Sequence, residues 1–444
     1  MSAEFHYTDA MPSLDLGDTQ QLTLQQAALC LRQGSLSARD YAASLLARVR
    51  ERDSSIEAWA ALDEAQVITL AAACETSAAA DAPLRGIPIG VKDIIDTIDW
   101  PTARGSAAYA GRRPAQDAVV VQRLKAAGAY VFGKTVTTEF AYMHPGKTRN
   151  PFNAAHTPGG SSSGSAAAVA AGMVPAAIGT QTNGSVIRPA AFCGVVGFKP
   201  GLGLIPFTGT LQFSATLDQL GGFTRSVTDA ALLASVMVEG EAVSATVQKR
   251  ATAPRIAVIS NYPWNQAEPD AAAHFNAGMA KLQAAGATVV PFVLPQACND
   301  AQAVHRTIMF YEAARDNAAR QEKHRAQLSP TLNAGLDEGR MIPSSDYAAA
   351  LLRRAVIIEQ ALDWFEDCDA IASLPAPGVA PSRLDVTGDP SWCTLWSLTG
   401  FPAITLPSGM SSAGLPYGLQ LAAAPGGDDS LLSTALWCEQ VLET

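Results

Sequence analysis

The sequence predicts an α/β fold in which helices cover a mixed or parallel β-sheet. Three observations carry this. Strand-like and helix-like segments alternate from Leu84 onward. The alternation recurs after Arg255, and 48% of the 444 residues are apolar, enough for a large buried core. No repeat of fixed period and no low-complexity linker interrupts the pattern, so one domain is expected over 1–444.

The elements follow in chain order. Residues 22–80 read as helices, with apolar residues three to four apart over Leu24–Arg32 and Ala38–Arg50. Between them, Gly34-Ser35-Leu36-Ser37 supplies a stop and a new N-cap. GIPIGVKDIID after Leu84 is β-rich, Val119–Gly128 is helix-like, and AYVFGKT is a short apolar strand. A second unit runs from RIAVIS at Arg255–Ser260 through a helix over Ala271–Ala285 to ATVVPFVLP. Residues 299–366 are a polar helical excursion. DAIASLPAP, ITLPSG and GLQLAAAP then return to strand and turn chemistry before a closing helix at Asp429–Leu442. The chain thus divides into N-terminal helices (20–80), a core (84–240), a variable α/β and helical region (250–366) and a C-terminal return to the sheet (367–444).

Composition excludes several functions. A net charge of −10 without a dense basic run argues against nucleic-acid and anionic-membrane partners. The seven cysteines are scattered with no CxxC pair, which points to reduced thiols and a cytoplasmic setting. Residues 1–21 show neither the basic start nor the apolar run of a secretory signal. The most apolar stretch, Ser165–Thr180, is broken by Gly172 and Pro175 and is too short to span a bilayer.

The segment from Gly159 to Arg188, GGSSSGSAAAVAAGMVPAAIGTQTNGSVIR, packs seven hydroxyl side chains among glycines. Hydroxyls supply attacking oxygens and proton relays, and glycines let peptide N–H groups approach a reacting carbonyl. A phosphate loop would end in Gly-Lys-Ser/Thr, and here alanines follow. Gly160-Ser161-Ser162-Ser163-Gly164 formally fits GxSxG, but no strand precedes it and His324, the last histidine, lies far from the C-terminus. A serine without histidine still needs a base. A lysine serves if burial disfavours its ammonium form, and Lys92, at the end of the apolar GIPIGVKD, is the candidate. Taken alone, Lys92 also reads as a surface lysine paired with Asp93 or Asp96.

The ordered set SARDYAASLLARV, GIPIGVKD, GKTVTTEFA, RNPFNAAHTPGGSSSGSAAAVAAG, GTQTNGSVIRPAAFCGVVGFKP, SLTGFPAITLPSG and GLPYGLQL resembles the amidase signature family over essentially the whole chain. The resemblance implies a large mixed central sheet sandwiched by helices, with the active site at the sheet's edge, and a serine–cis-serine–lysine triad. Lys92 is then general base and acid, Ser161 the bridging serine and Ser185 the acyl-forming nucleophile. Backbone N–H groups of Thr182, Asn183, Gly184 and Ser185 would form the oxyanion hole, with Gly160, Ser162, Gln181 and Arg188 near the substrate. No metal or cofactor is implied.

One departure carries information. Where most members read GTDTGGSIR, Gln181 replaces the acid and the arginine moves to Arg188, a pattern resembling the malonamidase and carboxybiuret-hydrolase branch. Arg188 either binds a substrate carboxylate or is a structural cation paired with an acid; the sequence leaves both open. Glu139 and Phe140 read as braces, Cys193, Trp392 and Trp396 as core, and His144 and His156 as loop residues. Tyr142 and Met143 are read as pocket-lining, within pocket segments expected over 125–150 and 300–350. The expected activity is hydrolysis of a small carboxamide to carboxylate and ammonia. The alternatives are a glutaminase subunit of a tRNA-dependent amidotransferase and a silent scaffold. Small amides are the expected partners; a homodimer or small accessory subunit stays open.

Overall fold

The computed structural model describes residues 16–443 apart from 78 and 80. Most of the N-terminal segment read for a secretory signal therefore lies outside the described residues. Eleven strands join one sheet: β1 (Trp59–Ala61), β2 (Pro88–Lys92), β3 (Tyr130–Thr135), β4 (Ala176–Gln181), β5 (Val196–Lys199), β6 (Gln219–Thr224), β7 (Arg255–Ile259), β8 (Thr288–Phe292), β9 (Ala370–Ser373), β10 (Ala403–Met410) and β11 (Pro416–Ala422). Their spatial order is β1-β3-β2-β4-β6-β5-β10-β11-β9-β7-β8.

The sheet is mixed for a readable reason. β2 pairs in parallel with β3 and β4, and β7 with β8 and β9, each across a connection that contains a helix. The short connection between β10 and β11 makes an antiparallel hairpin. β2 through β6 and β9 are buried along their whole length, as strands covered on both faces must be. The sheet ends on the three-residue β1 at one side and on the partly exposed β8 at the other.

Sequence expectations for the first two helices hold, with longer boundaries. Leu24–Gln33 is closed by Gly34 in the left-handed conformation at φ 72°, and Ser37 caps Ala38–Ile56 by accepting from Asp40 N. Residues 22–80 are not all helical: β1 interrupts them, because Trp59 and Ala61 pair with Thr135 and Lys134 across the sheet edge. The excursion forms helices Ala301–Asp316, Ala318–His324, Pro330–Met341 and Ser344–Leu362. No helix among the described residues is long and apolar enough to cross a membrane.

Candidate active site

Parallel strands send their C-terminal ends to one side of a sheet, where the following loops converge. Lys92 ends β2, level with Thr135 at the end of β3, and Gln181 ends the neighbouring β4. The site thus sits at strand ends well inside the sheet, since β2 is third of eleven in order. The sheet's edge, as a lateral position, is not where it lies.

Lys92 is fully buried and is no surface ion pair. Asp93 faces Lys134 at 3.8 Å and Asp96 binds Arg112 at 2.7 Å, so both acids are taken. Lys92 Nζ lies 2.7 Å from Ser161 Oγ, 2.8 Å from Thr180 Oγ1 and 3.4 Å from the Thr180 carbonyl. Burial pushes its amine well below the ordinary lysine value, and the charge of Asp218 pulls it partway back. A neutral amine has two N–H groups and one lone pair. With the N–H groups on Thr180, the lone pair is free to accept from the Ser161 hydroxyl.

The serine segment is braced by its own hydroxyls. The Gly160–Ser161 peptide bond is cis. Ser162 Oγ donates to the Thr180 carbonyl at 3.2 Å and accepts from Thr180 N at 3.3 Å. That approach requires glycine at 179, where a Cβ would stand 2.5 Å from Ser162 Oγ. Ser163 donates to Gly159 O and Ser165 to Ile178 O, so both are structural.

The turn after β4 is held from several sides. Gln181 Oε1 accepts from Val186 N and Ile187 N at 2.8 and 3.0 Å, and its Nε2 donates to Ser397 Oγ. Ser397 donates in turn to the Asn183 carbonyl, and Thr394 Oγ1 to Asn183 Oδ1 at 2.9 Å. Thr182 Oγ1 donates to Asp218, and the ring of His305 meets the Thr182 carbonyl at 2.9 Å. Among the described residues, the peptide N–H groups of Asn183, Gly184 and Ser185 donate to no protein acceptor. A cavity of about 80 Å³ opens over this turn. It is lined by Ser161, Thr182, Asn183, Gly184, Ser185 and Arg188 together with Tyr142, Met143, Phe213, Met309 and Thr387.

Of the residues expected near substrate, only Arg188 lines the cavity. Gln181 spends both ends of its amide inside the turn, Ser162 faces β4, and Gly160 offers its carbonyl to Arg188. Arg188 is buried; Nη2 donates to Gly160 O at 2.7 Å and to Thr387 Oγ1 at 3.3 Å, while Nε and Nη1 have no partner. No carboxylate pairs with it among the described residues, so the acid-paired cation is not what forms. Burial lowers its guanidinium to about 10.

Other expectations resolve simply. Glu139 braces two loops, accepting from Ser106 Oγ at 2.7 Å and Ser329 N at 2.9 Å. His156 binds the Ala380 carbonyl and Cys193 the Pro158 carbonyl, both away from the cavity. Tyr142, Met143 and Met309 come from the anticipated segments. Phe213, in the connection between β5 and β6, and the 387–390 turn, where the chain returns to the site from its C-terminal part, do not. Thr180, Asp218, His305 and Thr387 carried no spacing signal. Only Thr180, inside GTQT, lay where a motif could have exposed it.

An amidase family model matches residues 40–432. The chain is 35% identical to a glutamyl-tRNA(Gln) amidotransferase subunit from Roseiflexus castenholzii, over 93% of this chain and 94% of that one. A crystal structure of an amidase superposes with a TM-score of 0.87 at 30% identity, covering 94% and 99% of the two chains. A structure from a vestigial protein complex bearing on the origins of an s-triazine catabolic enzyme gives a TM-score of 0.84 at 28% identity, covering 95% and 98%.

Proposed function

The chain belongs to the amidase family of amide-hydrolysing enzymes, and on that premise we propose that it cleaves a small carboxamide to carboxylate and ammonia by a Ser–Ser–Lys acyl-enzyme route. Neutral Lys92 draws a proton from Ser161 as Ser161 draws one from Ser185, and the Ser185 oxygen attacks the amide carbonyl. Peptide N–H groups at 182–185 stabilise the resulting oxyanion, each lost donor costing roughly 3–4 kcal/mol. The proton returns along the same relay to the leaving nitrogen. Ammonia departs, and water releases the acyl group by the reverse path.

The observation that carries this reading is the 2.7 Å contact between a fully buried Lys92 and Ser161, with Ser161 and Ser185 lining one cavity. The test is ammonia release across a panel of small amides. Wild-type turnover that vanishes in Ser185→Ala, with serine-directed sulfonyl fluoride labelling lost in parallel, supports the route. Labelling and turnover surviving in Ser185→Ala overturn it.

The substrate's far end is proposed to carry a carboxylate. Two unpartnered guanidinium nitrogens on a buried arginine beside the cavity favour an anion there. The names of the curated relatives favour a second reading, a glutaminase subunit that passes ammonia to a partner. Glutamine as preferred substrate together with a co-purifying second subunit would select it; ammonia release from other amides by the isolated chain selects the first.

A further inference from the structure

We propose that Asp218 is a positioning residue for amide cleavage: its buried carboxylate ties the Thr182 turn to the Phe213–Ser214 loop at the cavity wall. The proposal rests on the Lys92–Ser161–Ser185 reading above.

Asp218 immediately precedes β6, which runs antiparallel to β4 with Gln219 opposite Gln181. That register brings residue 218 beside residue 182. Oδ1 accepts from Thr182 Oγ1 at 2.6 Å, while Oδ2 accepts from Phe213 N at 2.7 Å and Ser214 N at 3.0 Å. Thr182 and Phe213 both line the cavity, so one carboxylate ties two of its walls. Three donors on two oxygens suit a carboxylate, because a side-chain amide accepts through one oxygen only. The turn has no acid of its own, since Gln181 is neutral and fully engaged.

The charged neighbourhood isolates this pair. His305 holds the Thr182 carbonyl from the opposite side, and burial lowers its imidazole to about 4, so it is neutral. Glu312 is occupied by Ser214, Thr216 and Tyr347. Lys199 is bonded to Gln219 Oε1 and the Phe401 carbonyl, and Arg354 to the Leu398 carbonyl. Burial raises the Asp218 carboxyl to about 6 against the pull of its donors, which leaves it ionised at neutral pH. Its charge then opposes the burial that lowers the Lys92 amine.

Asp218→Asn removes the charge at almost constant shape. The expected result is a fall of at least about tenfold in kcat/KM, with the acid limb of the pH profile displaced to lower pH. A limb at the wild-type position, or an unchanged kcat/KM, overturns the proposal. Thr182→Val breaks one bond and keeps the charge. It should lower kcat about tenfold with KM within about twofold and the limb unmoved, and Thr182→Ser should restore kcat. An unimpaired Thr182→Val overturns the positioning role even if Asp218→Asn fails to fold. Lys92→Met, assayed alongside, separates the two ideas. If it retains turnover, the Ser–Ser–Lys reading itself fails; if it is inactive, an unshifted Asp218→Asn limb removes only the present proposal.

Discussion

Arg188 donates from Nη2 to the carbonyl of Gly160 at 2.7 Å, so the cation beside the cavity is bonded to the peptide that carries Ser161. Arg188 therefore has a supporting contact besides its two nitrogens without a partner, the ones proposed for the substrate carboxylate. Arg188→Ala should slow an uncharged amide somewhat, because the buried Gly160 carbonyl loses its donor. It should slow the ω-carboxylate analogue at least about tenfold more, about 1.4 kcal/mol. Steady-state kcat/KM on the matched pair decides this, and equal losses would remove the carboxylate from the proposal.

Lys92 should cost stability while serving catalysis. Its folded value lies well below the ordinary 10.5, so between the two the unfolded chain holds the proton more tightly than the native one. The contribution of this group to stability thus rises with pH across that window and is least favourable below it. Lys92→Met should abolish turnover by at least about a thousandfold and raise the melting temperature at pH 7 by at least about 2 °C. The gain should narrow toward pH 10. Calorimetry showing a lower melting temperature, or a pH-independent gain, contradicts this.

Gln181 should behave as a brace. Its Oε1 satisfies Val186 N and Ile187 N, and its Nε2 reaches the Ser397 hydroxyl that holds Asn183. Gln181→Ala leaves two buried N–H groups unsatisfied, each worth about 1–3 kcal/mol. We expect kcat to fall at least about tenfold with little change in KM, equally for charged and uncharged amides. A change in substrate preference would show that Gln181 touches substrate after all.

Gly164 has no room for a methyl group. A Cβ there would stand 2.2 Å from the Ala58 carbonyl oxygen and 2.4 Å from Val136 N, both backbone atoms that cannot move aside cheaply. Gly164→Ala should destabilise the protein by about 3 kcal/mol or more, through displacement of the helix Ser163–Ala170 from β1 and β3. Denaturant unfolding measures this directly; a wild-type midpoint would mean that the helix seats differently.

Much of this was legible in the chain because it is local. Gly34 and Ser37 announce a helix end and a helix start, since their conformations depend on neighbours a few residues away. The apolar runs of β2, β3 and β4 declared buried strands, and the helices between them declared parallel pairing. β1 escaped notice because three residues carry no period of their own and become a strand only against β3. Asp218 and His305 escaped for a related reason, as neither stands in a motif and each acts on Thr182 from a distant segment.

By itself the sequence determined the α/β order of elements and marked a hydroxyl-rich segment and Lys92 as candidates, because residue types and short-range spacing already encode them; the roles of Ser161 and Ser185 came from the family resemblance. Tertiary structure alone decided that Lys92 loses its solvent and meets a serine 69 positions away, that no acid among the described residues pairs with Arg188, and that Gln181 turns inward. Those outcomes depend on which surfaces exclude water and which chain segments converge at the ends of parallel strands. Desolvation and long-range hydrogen bonding belong to the folded packing, and no stretch of chain holds them in advance.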